Sequence, residues 1–181
     1  MEEFSYVLKI PKERIAVLIG KNGETKNDLE EATLIDIDID SHEGEITLTG
    51  ADAIQLYTSR EVIRAIARGF NPIIAKNLLK QDYVYEQISI KDFIKNENHL
   101  HRLKGRVIGT EGKSREMIED LSEANVSIYG KTIGIIGLAE NVDIARRAIE
   151  SLLSGSPHSN VYKWLENQRR IINTDKFEQR L

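Results

Sequence analysis

Two segments of the chain carry the same short pattern, an aliphatic pair followed by two glycines that are separated by two residues. The first occupies residues 18–23 (LIGKNG) and the second residues 107–112 (VIGTEG), so Gly109 repeats Gly20 at an offset of 89 residues. A third such glycine pair, Gly134 and Gly137, lies in an apolar run that indicates a strand. The flanking residues decide whether the first two patterns belong to one unit built twice.

The flanks of the first pattern predict six elements. They are a strand at 4–10, a short helix from Pro11 to Gly20, a second helix after Gly23, strands at 34–40 and 45–49, and a helix at 51–69. The run Thr25-Lys26-Asn27-Asp28 indicates a capping box for the second helix. The predicted order is β-α-α-β-β-α.

The second pattern has equivalent flanks. They predict a strand at 83–90, helices at 99–108 and 113–124, a hairpin at 126–137 and a closing helix at 139–153. Repetition of a whole unit is much stronger evidence than either glycine pair alone. The sequence therefore predicts an α+β fold made of two tandem β-α-α-β-β-α units.

The predicted units are residues 1–80 and 81–181. Asn71-Pro72 is typical of a helix start, so we expect a linker helix at 72–80. The run 154–157 (SGSP) ends the last helix of the second unit. A C-terminal helix is expected from Asn160 to Ile172, followed by a frayed end at 173–181.

Composition excludes several classes of site. The chain has no cysteine, which excludes disulfides and zinc–thiolate centres. It has no apolar run of 18 residues and starts with an acidic segment, so we expect a cytoplasmic protein with no membrane contact and no cofactor. Residues 12–50 carry 4 Lys+Arg and 10 Asp+Glu, whereas the matching residues 101–139 carry 6 and 5. A polyanion should therefore prefer the second unit.

Each unit resembles the type I KH domain, a module that binds RNA. The pair resembles the partner-of-Nob-one family of ribosome-assembly factors, including its archaeal members. The residues that carry this resemblance are Arg102–Gly109, Gly112–Arg115, Tyr129–Thr132, Ile135–Gly137 and Gly155–Tyr162.

The resemblance implies a non-enzymatic protein that binds single-stranded RNA near the 3′ end of small-subunit rRNA. It also implies three protein partners, namely the rRNA maturation endonuclease, the rRNA adenine dimethyltransferase and the alpha subunit of translation initiation factor two. A general KH-type regulator of mRNA is an alternative. A second alternative is a metal-dependent ribonuclease that uses Asp36, Asp38 and Asp40, although alternating Ile and Asp residues are also the ordinary pattern of a solvated strand.

In a KH loop the glycines let a phosphate backbone approach closely, and the next helix points its free N–H groups at the phosphates. About four nucleotides are held in this way beside an apolar groove. The candidate RNA-binding residues are Ile19, Gly20, Lys21, Asn22 and Gly23, together with Lys104, Arg106, Val107, Ile108, Gly109, Thr110, Glu111, Gly112, Lys113, Ser114 and Arg115.

Two points remain open from sequence alone. The aliphatic side chains that could line the grooves could equally be core residues; they are Ile19, Leu29 and Ile35 in the first unit and Val107, Ile108, Ile118 and Val126 in the second. Glu111 departs from the KH pattern, because a carboxylate beside a phosphate path is unfavourable. The basic residues around it lead us to predict that the second unit is nevertheless the stronger RNA binder.

Overall fold

The computed structural model describes residues 3–178, which fall into two compact units that divide between Tyr83 and Val84. The predicted boundary at 80/81 stays a prediction. Within the described residues, no helix is both long enough and apolar enough to cross a membrane.

The first unit alternates helices and strands as the sequence predicts. Its elements are β1 (Phe4–Lys9), α1 (Lys12–Ile19), α2 (Glu24–Thr33), β2 (Asp36–Asp40), β3 (Glu45–Gly50), α3 (Ala53–Ala67) and α4 (Pro72–Ala75). The sheet order is β1-β3-β2, and both pairings are antiparallel. Period-two alternation places Ile37, Ile46 and Leu48 on the inner face of the sheet, where they are buried under the helices.

The second unit repeats this architecture. Its elements are β4 (Tyr83–Ser89), α5 (Glu97–Ile108), α6 (Lys113–Ser122), β5 (Asn125–Tyr129), β6 (Thr132–Leu138), α7 (Ala139–Leu153) and α8 (His158–Glu178). The sheet order is β4-β6-β5. The buried side chains Leu103, Ile118, Ile133 and Ile149 form one core between the sheet and the helices. The predicted α+β fold with two β-α-α-β-β-α units is confirmed, and the pair Gly134 and Gly137 lies in β6 as expected.

The matching extends to single residues. Thr33 and Ser122, which are 89 positions apart, each donate a hydroxyl hydrogen bond to the carbonyl four residues earlier, both at 2.6 Å. The next residues, Leu34 and Glu123, both take left-handed backbone angles, with φ of 55° and 57°. The two units are therefore equivalent in detail and not only in the order of their elements.

Several element limits differ from the prediction. Leu34 was expected to open a strand, but it ends α2 and is 87% exposed, so β2 begins at Asp36. The side chains of Ile54 and Tyr57 on α3 are 76% and 59% exposed, although their spacing from the buried residues of this helix is roughly helical. Local periodicity did not separate these two residues from the buried face of α3.

The two additional helices are present. The linker helix consists of α4 and a 3-10 turn at Lys76–Leu79, and Ala75 and Leu78 are buried against the first unit. Asn71 caps α4 through its side chain, which accepts from the N–H of Ile73 at 2.9 Å. The C-terminal helix α8 continues to Glu178, six residues beyond the predicted end at Ile172, and the frayed end stays a prediction. Residues 179–181 lie outside the described chain.

Candidate RNA-binding loops and grooves

The first glycine of each loop takes backbone angles that are nearly restricted to glycine. Gly20 has φ 76° and ψ 179°, and Gly109 has φ 74° and ψ 175°. A side chain would also collide with the start of the next helix, because a Cβ atom would lie 2.7 Å from the Thr25 nitrogen or 2.6 Å from the Ser114 nitrogen. These two glycines are therefore required by the fold itself.

The last two residues of each loop are left-handed. Asn22 and Glu111 both have φ 54°, and the second glycines, Gly23 and Gly112, have φ 81° and 79°. A Cβ atom on Gly112 would meet nothing within 4 Å. The space beside this second glycine is open to a ligand, so its absent side chain lets another chain approach the backbone.

Both loops lead directly into a helix whose N-terminus no side chain caps. The N-cap residues of α2 and α6 are the glycines Gly23 and Gly112, and neither helix receives a side-chain cap hydrogen bond. The predicted capping box at Thr25 is therefore wrong, because α2 already begins at Glu24. Without a capping side chain, first-turn N–H groups and the positive end of the helix dipole are directed toward the loop, which is the arrangement that binds phosphate.

The cations around the second loop have different roles. Lys113 is exposed and lies 3.6 Å from the carboxylate of Glu111, an exposed pair that is worth about 1 kcal/mol at most. Arg106 is half-buried and borders the open space beside the loop, so its contact with phosphate stays a prediction. Its Nε donates to the carbonyl of Leu152 at 2.9 Å and its Nη2 donates to that of Ser156, so it joins α5 to the end of α7.

Two of the candidate side chains are buried. The side chain of Val107 is fully buried in the core, and Ser114 is only 2% exposed. The Ser114 hydroxyl has no hydrogen-bond partner among the described residues, and it lies beneath the loop. Neither side chain can contact RNA in this conformation.

The apolar groove is smaller than the sequence suggested. Ile19 and Ile108 are partly exposed at the ends of α1 and α5. The other groove candidates are core residues, namely Leu29, Ile35, Ile118 and Val126, each at most 5% exposed. The space between the second helix and the edge strand is instead bordered by polar groups.

Those polar groups form a network that sequence reasoning missed. The Glu119 carboxylate on α6 accepts the backbone N–H of Val126 on the edge strand β5 at 2.7 Å, and it lies 3.6 Å from Nε of Arg115. Burial raises the pKa of the Glu119 carboxyl, while the Val126 N–H and the Arg115 charge act in the opposite direction. The network joins α6 to β5 across the groove.

The first unit has the same network at the same offset. Glu30 accepts the N–H of Ile37 at 2.8 Å and lies 3.5 Å from Lys26. Comparing the two halves of the sequence at an offset of 89 residues would have aligned Lys26 with Arg115 and Glu30 with Glu119. That comparison was the signal by which sequence reasoning could have found the network.

An open cleft of about 490 Å³ lies on the other side of the second loop, between α5 and α8. Its lining includes Arg102, Thr110, Lys113 and Tyr162. A ring nitrogen of His158 is 2.8 Å from the carbonyl oxygen of Arg106 and holds the start of α8 against α5. The cleft adds basic and aromatic groups beside the second loop.

The aspartates of β2 do not form a metal centre. Asp36 and Asp38 are exposed, and the carboxylate of Asp40 accepts the backbone N–H groups of His42 and Glu43 at 2.8 and 3.1 Å. These hydrogen bonds hold the pKa of Asp40 below its ordinary value. Among residues 3–178, no three His, Asp or Glu side chains are grouped so that they could bind a metal ion.

Known proteins share this arrangement. Residues 84–170 match a family described as "Eukaryotic type KH-domain (KH-domain type I)", and residues 5–65 match the KH domain. A KH domain-containing protein of Methanocaldococcus jannaschii is 47% identical over 95% of this chain and 77% of its own length. The pre-rRNA-processing protein PNO1 of Coccidioides immitis is 40% identical over 64% of this chain, which spans only 45% of that protein.

Solved structures agree with these matches. Dim2p from Pyrococcus horikoshii OT3 is 44% identical, with a TM-score of 0.85 over 91% of this chain and 99% of that one. A chain in the a/eIF2alpha-aDim2p-rRNA complex from the same organism is 43% identical, with a TM-score of 0.87 over 93% and 95% of the two chains. The chain described here therefore belongs to the Dim2p/PNO1 family of proteins with tandem KH domains.

Proposed function

We propose that this chain is an assembly factor of the small ribosomal subunit that binds single-stranded rRNA near its 3′ end. The observation that carries the proposal is the geometry of the loop Gly109–Gly112. At this loop the uncapped N-terminus of α6 and the unobstructed backbone of Gly112 lie side by side, which is the arrangement that binds phosphate. The similar complex from P. horikoshii contains rRNA, and the PNO1 relatives are pre-rRNA-processing proteins.

The same complex supports one protein partner. It contains a/eIF2alpha, and we propose that the alpha subunit of translation initiation factor two also binds this chain. The maturation endonuclease, the rRNA adenine dimethyltransferase and the cytoplasmic location stay predictions from the resemblance. We further propose that the chain binds RNA without cleaving it. The hydrogen bonds that occupy the Asp40 carboxylate support this view.

A matched pair of variants tests the loop. Thr110→Asp adds a negative charge to an exposed loop position, whereas Thr110→Asn adds a side chain of the same shape without charge. The probe is a labelled RNA with the 3′-terminal sequence of small-subunit rRNA, and its affinity is measured by fluorescence anisotropy. We expect Thr110→Asp to weaken binding about tenfold by repelling a phosphate, and Thr110→Asn to change it little. Equal affinities would contradict a phosphate site at this loop.

Two controls separate the alternative functions. Incubation of the same RNA with the protein and Mg²⁺ or Mn²⁺ should leave it intact, and cleavage that Asp36→Asn abolishes would establish the nuclease alternative. Sequencing of the RNA that copurifies with the chain should return small-subunit rRNA. Recovery of mRNA alone would favour the general KH regulator.

A further inference from the structure

The groove of the second unit differs from that of the first by one chemical feature. Both grooves are crossed by a glutamate that accepts the edge-strand N–H, and both have a cation beside that glutamate. The cation is Lys26 in the first unit and Arg115 in the second. Because all other parts of the network are repeated, the replacement of an ammonium by a guanidinium is the difference that needs a functional reason.

Because of Glu119, the backbone N–H of Val126 on the edge strand β5 is not available to a ligand. The N–H of Val126 already donates to the Glu119 carboxylate, so a base that enters the α6–β5 groove cannot use it. The groups that such a base meets are the carboxylate and the guanidinium beside it. Recognition of the base at this position therefore has to come from side chains.

The guanidinium of Arg115 lies near the Glu119 carboxylate but is not held by it in one orientation. Arg115 lies in the first turn of α6, three residues after Gly112, and its side chain is 44% exposed. Its Nε is 3.6 Å from Glu119, which is too long for a hydrogen bond, and no acceptor bonds Nε elsewhere in the part of the chain that the structure describes. Arg115 is thus held by charge beside the groove, while its terminal N–H groups are not used by a bidentate pair.

Arginine and lysine differ in how well their donors can distinguish one base from another. A guanidinium presents parallel N–H donors that match two adjacent acceptors, whereas an ammonium acts as a point charge. Guanine offers O6 and N7, and cytosine offers N3 and O2. On the Watson–Crick and Hoogsteen edges of adenine, and in uracil, each acceptor has a donor next to it. Lys26 can attract phosphate by its charge, but its ammonium has no pair of parallel N–H donors with which to distinguish one base from another.

Resting on the proposed function, we propose that Arg115, positioned by Glu119, selects a base with two adjacent acceptors in the α6–β5 groove. The first unit, with Lys26 at the same place, makes no such selection. The second unit then supplies specificity as well as affinity.

The test compares Arg115→Lys with the full-length parent chain on two probes. The first probe is a pool of randomised RNA octamers, sequenced after selection on each protein, and the second is oligo(U). We expect the parent chain to enrich guanine or cytosine at one position by roughly 5- to 150-fold, and Arg115→Lys to lose that enrichment. Affinity for oligo(U) should stay within about twofold, because the charge is retained. Retention of the enrichment in Arg115→Lys would overturn the proposal.

The controls separate the possible failures. Absence of binding to either probe by the parent chain would overturn the proposed function itself. If guanine is enriched, 7-deazaguanine removes one of its two acceptors and should weaken the parent chain but not Arg115→Lys; cytosine enrichment predicts no effect of this analogue. Glu119→Gln can still accept the Val126 N–H and should reduce the enrichment without changing oligo(U) affinity. An unchanged enrichment in Glu119→Gln would remove the positioning role, and the fluorescence of Trp164 reports that each variant is folded.

Discussion

The first loop carries Lys21 and Asn22 between its glycines, whereas the second carries Thr110 and Glu111. By loop sequence alone the first unit is the better phosphate site. The charge around the first loop disfavours phosphate, because residues 12–50 hold 10 acidic and only 4 basic residues. In the second unit α8 adds a basic and aromatic cleft next to the loop. The comparison teaches that two loops with the same backbone angles can present different charge to a ligand.

The largest effect is expected where the two units are most alike. Gly20→Ala and Gly109→Ala should each destabilise their unit by about 1–3 kcal/mol from backbone strain, with a further cost from overlap with Thr25 or Ser114. Urea unfolding measured by circular dichroism tests both variants. Trp164 is the single tryptophan and packs on the second core, so its fluorescence reports that unit alone.

Gly112→Ala is the control for this prediction. Its position is also left-handed, but a Cβ atom there would meet nothing within 4 Å, so we expect a loss of only about 1 kcal/mol. If Gly20→Ala proved harmless while Gly109→Ala unfolded its unit, the equivalence of the two loops would be refuted.

The second effect concerns how RNA affinity is divided between the units. We expect the fragment 81–181 to keep most of the affinity of the full chain, within about tenfold, because the first unit is acidic. Titration of one short RNA against both proteins measures the ratio. A drop of about a hundredfold or more in a fragment with an intact circular dichroism spectrum would show that residues 20–23 are a full RNA site.

Glu111 gives a smaller effect. Glu111→Lys should tighten RNA binding a few-fold and steepen its salt dependence by about 0.7 in the log–log slope, which is one additional phosphate contact. Asn22→Lys is the change at the equivalent position of the first loop, where φ is also 54°, and it adds one positive unit of charge where Glu111→Lys adds two. We expect it to have less effect in the more acidic unit. Weaker binding by Glu111→Lys would mean that the carboxylate hydrogen-bonds a base.

The smallest effect is a dependence of stability on pH. Backbone N–H donors hold the pKa of Asp40 below its ordinary value in the first unit, and Lys131 does the same for Glu97 in the second. Each group therefore stabilises its unit above its ordinary pKa, and the contribution is lost as the pH falls through the folded pKa. We expect Asp40→Asn and Glu97→Gln each to reduce the fall of the urea unfolding midpoint at acidic pH, when that midpoint is plotted against pH.

Sequence reasoning predicted the architecture because the pattern was repeated. Period-two strands and glycine-ended helices recur at one offset, and each copy strengthens the interpretation of the other. It failed where the outcome depends on a distant partner. Nothing local to Arg106 shows that carbonyls at 152 and 156 will bind it. For Val107 the signal was present, because Leu100, Leu103 and Val107 have the spacing of one buried helix face, but it was not used.

The polar network illustrates the same limit at the site. The general KH pattern implies an apolar groove beside the loop, and the sequence left open whether the aliphatic side chains near it line the groove or belong to the core. Ile118 and Val126 face inward, and Glu119, one residue after Ile118, crosses to the strand edge. A carboxylate on a helix surface is ordinarily solvated, so Glu119 by itself gave no sign of this contact, and only its repetition of Glu30 at the offset of 89 residues pointed to it.

The arginine contacts at the ends of the closing helices have a consequence for synthesis on the ribosome. Arg14 donates to the carbonyls of Ile66 and Phe70 at 2.8 Å, as Arg106 does to those of Leu152 and Ser156 in the other unit. In each unit an early helix is thus completed by acceptors made about fifty residues later. A nascent first unit cannot close until Phe70 has left the exit tunnel. We therefore expect the growing chain to complete its two units in separate steps, the more acidic one first.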